Sequence, residues 1–183
     1  MHGHLRLLAV LAAVLALALP ASANAASCPN ASLMPSTANL DRVREATLCL
    51  VNRQRAAHGR APLTANRELA KAAHRYVNTM AARGFFAHVS PGGSTPESRI
   101  KVTLYLADAR SWSIGENLAW GGGDLATPQQ MVAAWMRSPS HRRNILSTRF
   151  RQLGVGIAIG TPQQGAEAGA TYATEFGVRI TTR

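Results

Sequence analysis

The chain has 183 residues, 46% of them hydrophobic, and a formal charge of +11. That length suits one domain with a real core, and the composition excludes a disordered or fibrous chain. The charge favours anionic partners such as wall polymers or lipid headgroups. Yet 18 of the 20 basic residues are arginines spread along the sequence, among many alanines. That pattern is the mark of compositional bias more than of a binding face.

Residues 1–25 read as a secretory signal. Arg6 and two histidines precede an apolar run from Leu7 to Leu19, Pro20 breaks it, and Ala23-Asn24-Ala25 offers a small-x-small cleavage site. The run is too short to span a bilayer comfortably, and no later segment is apolar enough to do so. A secreted, extracellular mature protein is expected, with net charge +10 once Arg6 is removed. Export and the absence of a recognition motif argue against a nucleic-acid partner. Nothing resembles a coiled coil, which favours a monomer. Residues 26–37 form an N-terminal arm with Pro29 and Pro35, and residues 38–183 form a single domain. In an exported chain the two cysteines, Cys28 and Cys49, favour a disulfide pinning the arm to the first helix. A lipidated Cys28 after Ala25-Ala26-Ser27 is the rival.

From about Asn39 to His58, Leu40, Val43, Thr47, Leu50 and Val51 recur at helical spacing, and Gly59 ends the pattern. A second helix runs from about Asn66 to Arg83, with Leu69, Ala73, Tyr76 and Met80 on its core face and Gly84 at its end. His74 belongs to this packing rather than to a ligand set. Phe85–Ser94 is a loop. Thr95-Pro96-Glu97 starts a helix whose apolar side is Ile100, Val102 and Leu104. Trp112–Trp120 is extended and stops at three glycines. Thr127-Pro128 opens another helix, and Ser138-Pro139 opens a short one carrying His141, Ile145 and Leu146. Leu153–Ile159 alternates as a strand, with Gly154 and Gly156 marking a close backbone approach. Residues 160–169 form a loop, and Ala170–Ile180 completes a hairpin. Helices around a small, largely antiparallel sheet give an α+β domain.

Three separated words carry the chemistry: Phe86-Ala87-His88-Val89-Ser90-Pro91, Gly115-Glu116-Asn117-Leu118-Ala119-Trp120, and Ser138-Pro139-Ser140-His141-Arg142-Arg143-Asn144-Ile145-Leu146. His88, Glu116 and His141 are too far apart for one helix face, so only a fold can assemble them. Two imidazoles and a carboxylate are a set that zinc sites use, with water in the fourth position. Without metal the same residues form a polar network, with Asn117 and Asn144 as cross-links. Ser138 and Ser140 read as helix-start residues, and no Gly-x-Ser-x-Gly elbow is present. Glu116 and Glu175 form a weaker carboxylate pair whose facing the sequence leaves open. Trp112, Trp120 and Trp135 read as core.

These words, with Leu50-Val51-Asn52, Arg55, Gly154-Val155-Gly156 and Phe176-Gly177, resemble the CAP superfamily of cysteine-rich secretory, antigen 5 and pathogenesis-related 1 proteins, in its bacterial secreted SCP-like branch. The resemblance covers about residues 44–178. It implies a three-layer α-β-α sandwich with an open cleft lined by two histidines and two acids, where zinc can sit without being required. His88, Glu116 and His141 match three of those positions, and Ser138 stands where the fourth would be. The resemblance implies a non-enzymatic binding module for a lipid, a cell-wall polymer or a host molecule. The alternative is a metal-dependent, peptidase-like hydrolase using His88, Glu116 and His141.

Overall fold

The computed structural model describes residues 27–163 and 168–181. The expected signal at residues 1–25 lies outside them. Helix α1, Leu40–Ala57, buries Val43, Thr47, Leu50 and Val51 as a single stripe. Its last turn also buries Arg55, whose guanidinium donates to the carbonyls of Ala61, Ile145 and Ser147 and so holds the far end of the domain to α1. Strand β1, Thr64–Ala65, is only two residues long and has no alternation to signal it. Helix α2, Arg67–Arg83, is capped by the Asn66 side chain, which accepts from the Leu69 N–H at 3.0 Å. Gly84 closes it at φ +64°, a conformation that costs glycine nothing.

Helix α3, Pro96–Lys101, has the Thr95–Ser98 capping box but only six residues. The expected apolar side is not assembled. Ile100 is fully buried, whereas Val102 and Leu104 are about 70% exposed, because the helix has already ended. The long strand β2, Ala109–Gly122, leads through a 3-10 turn to α4, Pro128–Arg137, and α5, Pro139–Leu146. Strands β3, Gln152–Ile159, and β4, Gly169–Thr181, form the expected hairpin.

The sheet order is β1-β3-β4-β2, with β1 parallel to β3 and the other pairs antiparallel. Strand β2 is therefore an edge. Helix α2 covers one face, packing Tyr76, Val77 and Met80 on Leu118, Ala158 and Ala173. Helices α1, α4 and α5 cover the other, where Trp135, Tyr172 and Phe176 anchor the larger core. This is the α+β, α-β-α sandwich expected. Gly154 and Gly156 show why α2 lies so close: a Cβ on either would fall about 2 Å from α2 backbone atoms. Of the three tryptophans expected in the core, only Trp135 is there. Trp112 and Trp120 lie on the edge strand, 41% and 36% exposed.

Cys28 and Cys49 are disulfide-bonded, which sets aside the lipidated alternative in this fold. The arm so tethered also lends the Ala31 carbonyl to the Gln129 N–H at the start of α4, at 2.9 Å. Among the described residues, no helix is long and apolar enough to cross a membrane.

Candidate functional site

Glu116 and Asn117 are neighbours on the edge strand, and the pleat sends their side chains to opposite faces. On the α2 face the Glu116 carboxylate is 2% exposed and both its oxygens are engaged. Oε1 meets Nδ1 of His88 at 2.7 Å, and Oε2 accepts from Nη2 of Arg99 at 2.6 Å. Arg99 also donates to the carbonyls of Ser94 and His88, and its guanidinium lies 3.3 Å from the centroid of the Tyr76 ring. Tyr76 in turn donates to the Ala87 carbonyl at 2.5 Å. The loop carrying His88 is thus held from below by α2, α3 and β2 together.

On the opposite face Asn117 Nδ2 donates to the His141 carbonyl at 3.1 Å. Asn144 Nδ2 donates to Asn117 Oδ1 at 2.8 Å and to the Glu116 carbonyl at 3.1 Å. The two asparagines thus tie β2 to α5. Ser138 sits at the start of α5 without a side-chain cap bond, its Oγ 3.2 Å from that of Ser140. Neither hydroxyl bonds an imidazole among the described residues.

The electrostatics separate the two histidines. The hydrogen bond to Glu116 raises the pKa of His88, while burial and then the nearby His88 lower that of His141. His141 therefore favours the neutral form that metals and hydrogen-bond donors require. The third group is Glu175, which is the register partner of Glu116 on β4 and is wholly buried. Among the described residues no donor group reaches either of its oxygens. Burial, and then the Glu116 charge, push its pKa well above 4.5, so its neutral acid form faces the Glu116 carboxylate. The pairing left open in the sequence is real, but it lies under α2 rather than in a cleft.

Arg99 was missed in the sequence because α3 is short and its pattern mixed. The arginines that look scattered along the chain also gather in space. Arg137, Arg142 and Arg143 line one cavity, and Arg60, Arg143 and Arg149 line a neighbouring one that shares Leu146. Among the described residues no acid lines either.

Among the described residues, no three His, Cys, Asp or Glu side chains converge as metal ligands. Glu116 is committed to Arg99 and His88. With Glu116 so engaged, what remains of that donor set is His88 through Nε2 and the His141 imidazole, with Glu116 behind His88 as the orienting acceptor.

The chain belongs to the cysteine-rich secretory protein (CAP) family, whose sequence model matches residues 48–174. The uncharacterized protein YkwD of Bacillus subtilis is 32% identical over 130 residues, 69% of this chain. The chain spans 44% of that relative's length. An extracellular protein of Bacillus anthracis containing an SCP domain superposes with TM-score 0.58 at 23% identity, over 78% of this chain and 44% of that one. An outer surface protein of Borrelia burgdorferi gives 0.62 at 20% identity, over 80% and 97%. These two share the fold.

Proposed function

We propose that the protein is exported and works as a monomeric, non-enzymatic binding module for a lipid, cell-wall or host component. Its receiving surface is the β2 edge between the His88 loop and α5. The observation that carries this reading is the state of Glu116. Both oxygens are bound, one by His88 and one by Arg99, so it holds the loop in shape and is not a free base. Beside the half-exposed His88, Phe86 and Val89 are 44% and 50% exposed, an apolar rim suited to contact rather than to bond cleavage. The disulfide and the extracellular relatives support export. Zinc enters this reading as an optional ion on His88 and His141, where it would supply a positive charge at the rim.

The test is co-sedimentation of the purified protein with peptidoglycan and, separately, with phospholipid vesicles. It is run beside a Phe86→Ala/Val89→Ala variant whose circular dichroism matches the wild type. Retention that the variant loses supports the reading. Equal retention of both proteins, or none with either material or with host-surface extracts, would sink it.

A further inference from the structure

A cavity of about 460 Å³ lies between α2 and α3, beside the Glu116 network but outside the receiving surface just described. Its volume is that of a small-molecule pocket. Three guanidinium groups, those of Arg75, Arg83 and Arg99, line it, and among the described residues no carboxylate does. Among the described residues neither Arg75 nor Arg83 is ion-paired. Arg99 is the built part of the pocket. Its side chain is 9% exposed and fixed by Glu116, Ser94 and the Tyr76 ring, yet its buried Nε has no acceptor. The Ser90 hydroxyl accepts from the Ser94 N–H and keeps its own proton for a ligand. Ala72 and Val102 supply an apolar wall.

Three like charges facing one cavity repel one another, and an unpartnered buried N–H costs free energy. The repulsion is relieved by an anion with oxygens for the guanidinium forks and a carbon body for the wall. We propose that this cavity binds a small organic oxyanion, a carboxylate or a phosphate ester carrying a short apolar group. The existence of this site does not rest on what the β2 edge binds. Because Arg99 also holds Glu116, an anion here competes for the same guanidinium and loosens the His88 loop.

The experiment is calorimetric titration with phenyl phosphate and with benzoate, which share a ring and differ in headgroup. Phenol is the uncharged control. An Arg75→Gln/Arg83→Gln variant alters exposed residues, and Arg137→Gln/Arg143→Gln removes the same charge from the distant arginine face. Saturable one-site binding of at least one anion is expected, weakened tenfold or more in the first variant and unchanged in the second. The anion that binds identifies the headgroup. The Arg99 Nε–H resonance should shift on saturation in the wild type. Equal binding of phenol, equal loss in both variants, or no saturable binding of either anion would overturn the proposal.

Discussion

Glu175 faces Glu116 directly across the β2–β4 ladder, on the side covered by α2. Two ionised carboxylates opposite one another in a sheet repel, and burial makes the repulsion large. The fold resolves this by giving Glu116 the cation Arg99 and leaving Glu175 neutral.

Glu175→Gln should therefore stabilise the protein at neutral pH, raising Tm by a few degrees. The sign follows from linkage. The folded-state pKa of Glu175 lies above its ordinary value of 4.5, so folding takes up a proton between the two. Stability then falls as pH rises across that window. Thermal melts from pH 4 to 9 should show a decline in the wild type that flattens in the variant. Parallel curves for the two proteins would contradict the assignment of a neutral Glu175.

Arg99→Ala removes the only cation among the described residues that touches the Glu116 carboxylate apart from His88. Breaking a buried pair from one side typically costs about 3–5 kcal/mol, and urea titration should show a loss of that order. Arg99→Lys keeps the charge but not the planar fork, so it should fall between wild type and alanine. Equal stability of Arg99→Ala and wild type would remove Arg99 from the network.

The two histidines should titrate apart. His88 has a raised folded-state pKa, so its contribution is complete below the ordinary value of 6.5 and fades as pH rises through the higher folded value. The contribution is small, because the side chain is about half exposed and water screens the pair. His141 has a lowered pKa, so stability is lost as pH falls from 6.5 toward its folded value. Proton-detected histidine titrations should place His141 below His88. The reverse order would refute the hydrogen bond from His88 to Glu116 in solution.

Zinc calorimetry on the chelator-stripped protein should show weak binding that tightens as pH rises, since protons compete for His88. His88→Ala/His141→Ala should abolish it while the circular dichroism stays unchanged. Equal binding by both proteins would place the metal elsewhere.

Cys49→Ser opens a loop whose ends lie 21 residues apart, and a closure of that length stabilises by about 3 kcal/mol in the chain-entropy account. Reduced and oxidised protein should differ by a similar amount in denaturant titration.

Much of this was legible in the sequence, because local signals and tertiary demands agree there. Asn66, Gly84, Thr95-Pro96 and Gly59 stop and start helices by chemistry that acts within one turn. The His88 and Glu116 words identify groups that do meet. What stayed hidden depends on register and on distant partners. Glu175 faces Glu116 only because a strand made 59 positions later pairs in one particular alignment. Arg99 belongs to a six-residue helix that looks solvated, and nothing local reports that Tyr76 and Glu116 enclose it. Strand β1 exists because β3 offers an edge, not because Thr64-Ala65 asks for one. The arginine face joins Arg60 to Arg143, which the sequence keeps far apart.

The arm tethered by Cys28 has one last implication, for the order of events during biosynthesis. Thr127 stands at the start of α4 without a side-chain cap bond, and the acceptor for the Gln129 N–H comes instead from Ala31. The ribosome makes that acceptor 98 residues before the donor. The beginning of the chain must therefore wait for the middle before it can settle, and until then the Cys28 thiol has no docked arm to hold it beside Cys49. That interval leaves the Cys28 thiol open to exchange with any oxidised thiol it meets, so the rate at which the arm docks sets how cleanly the bond to Cys49 closes.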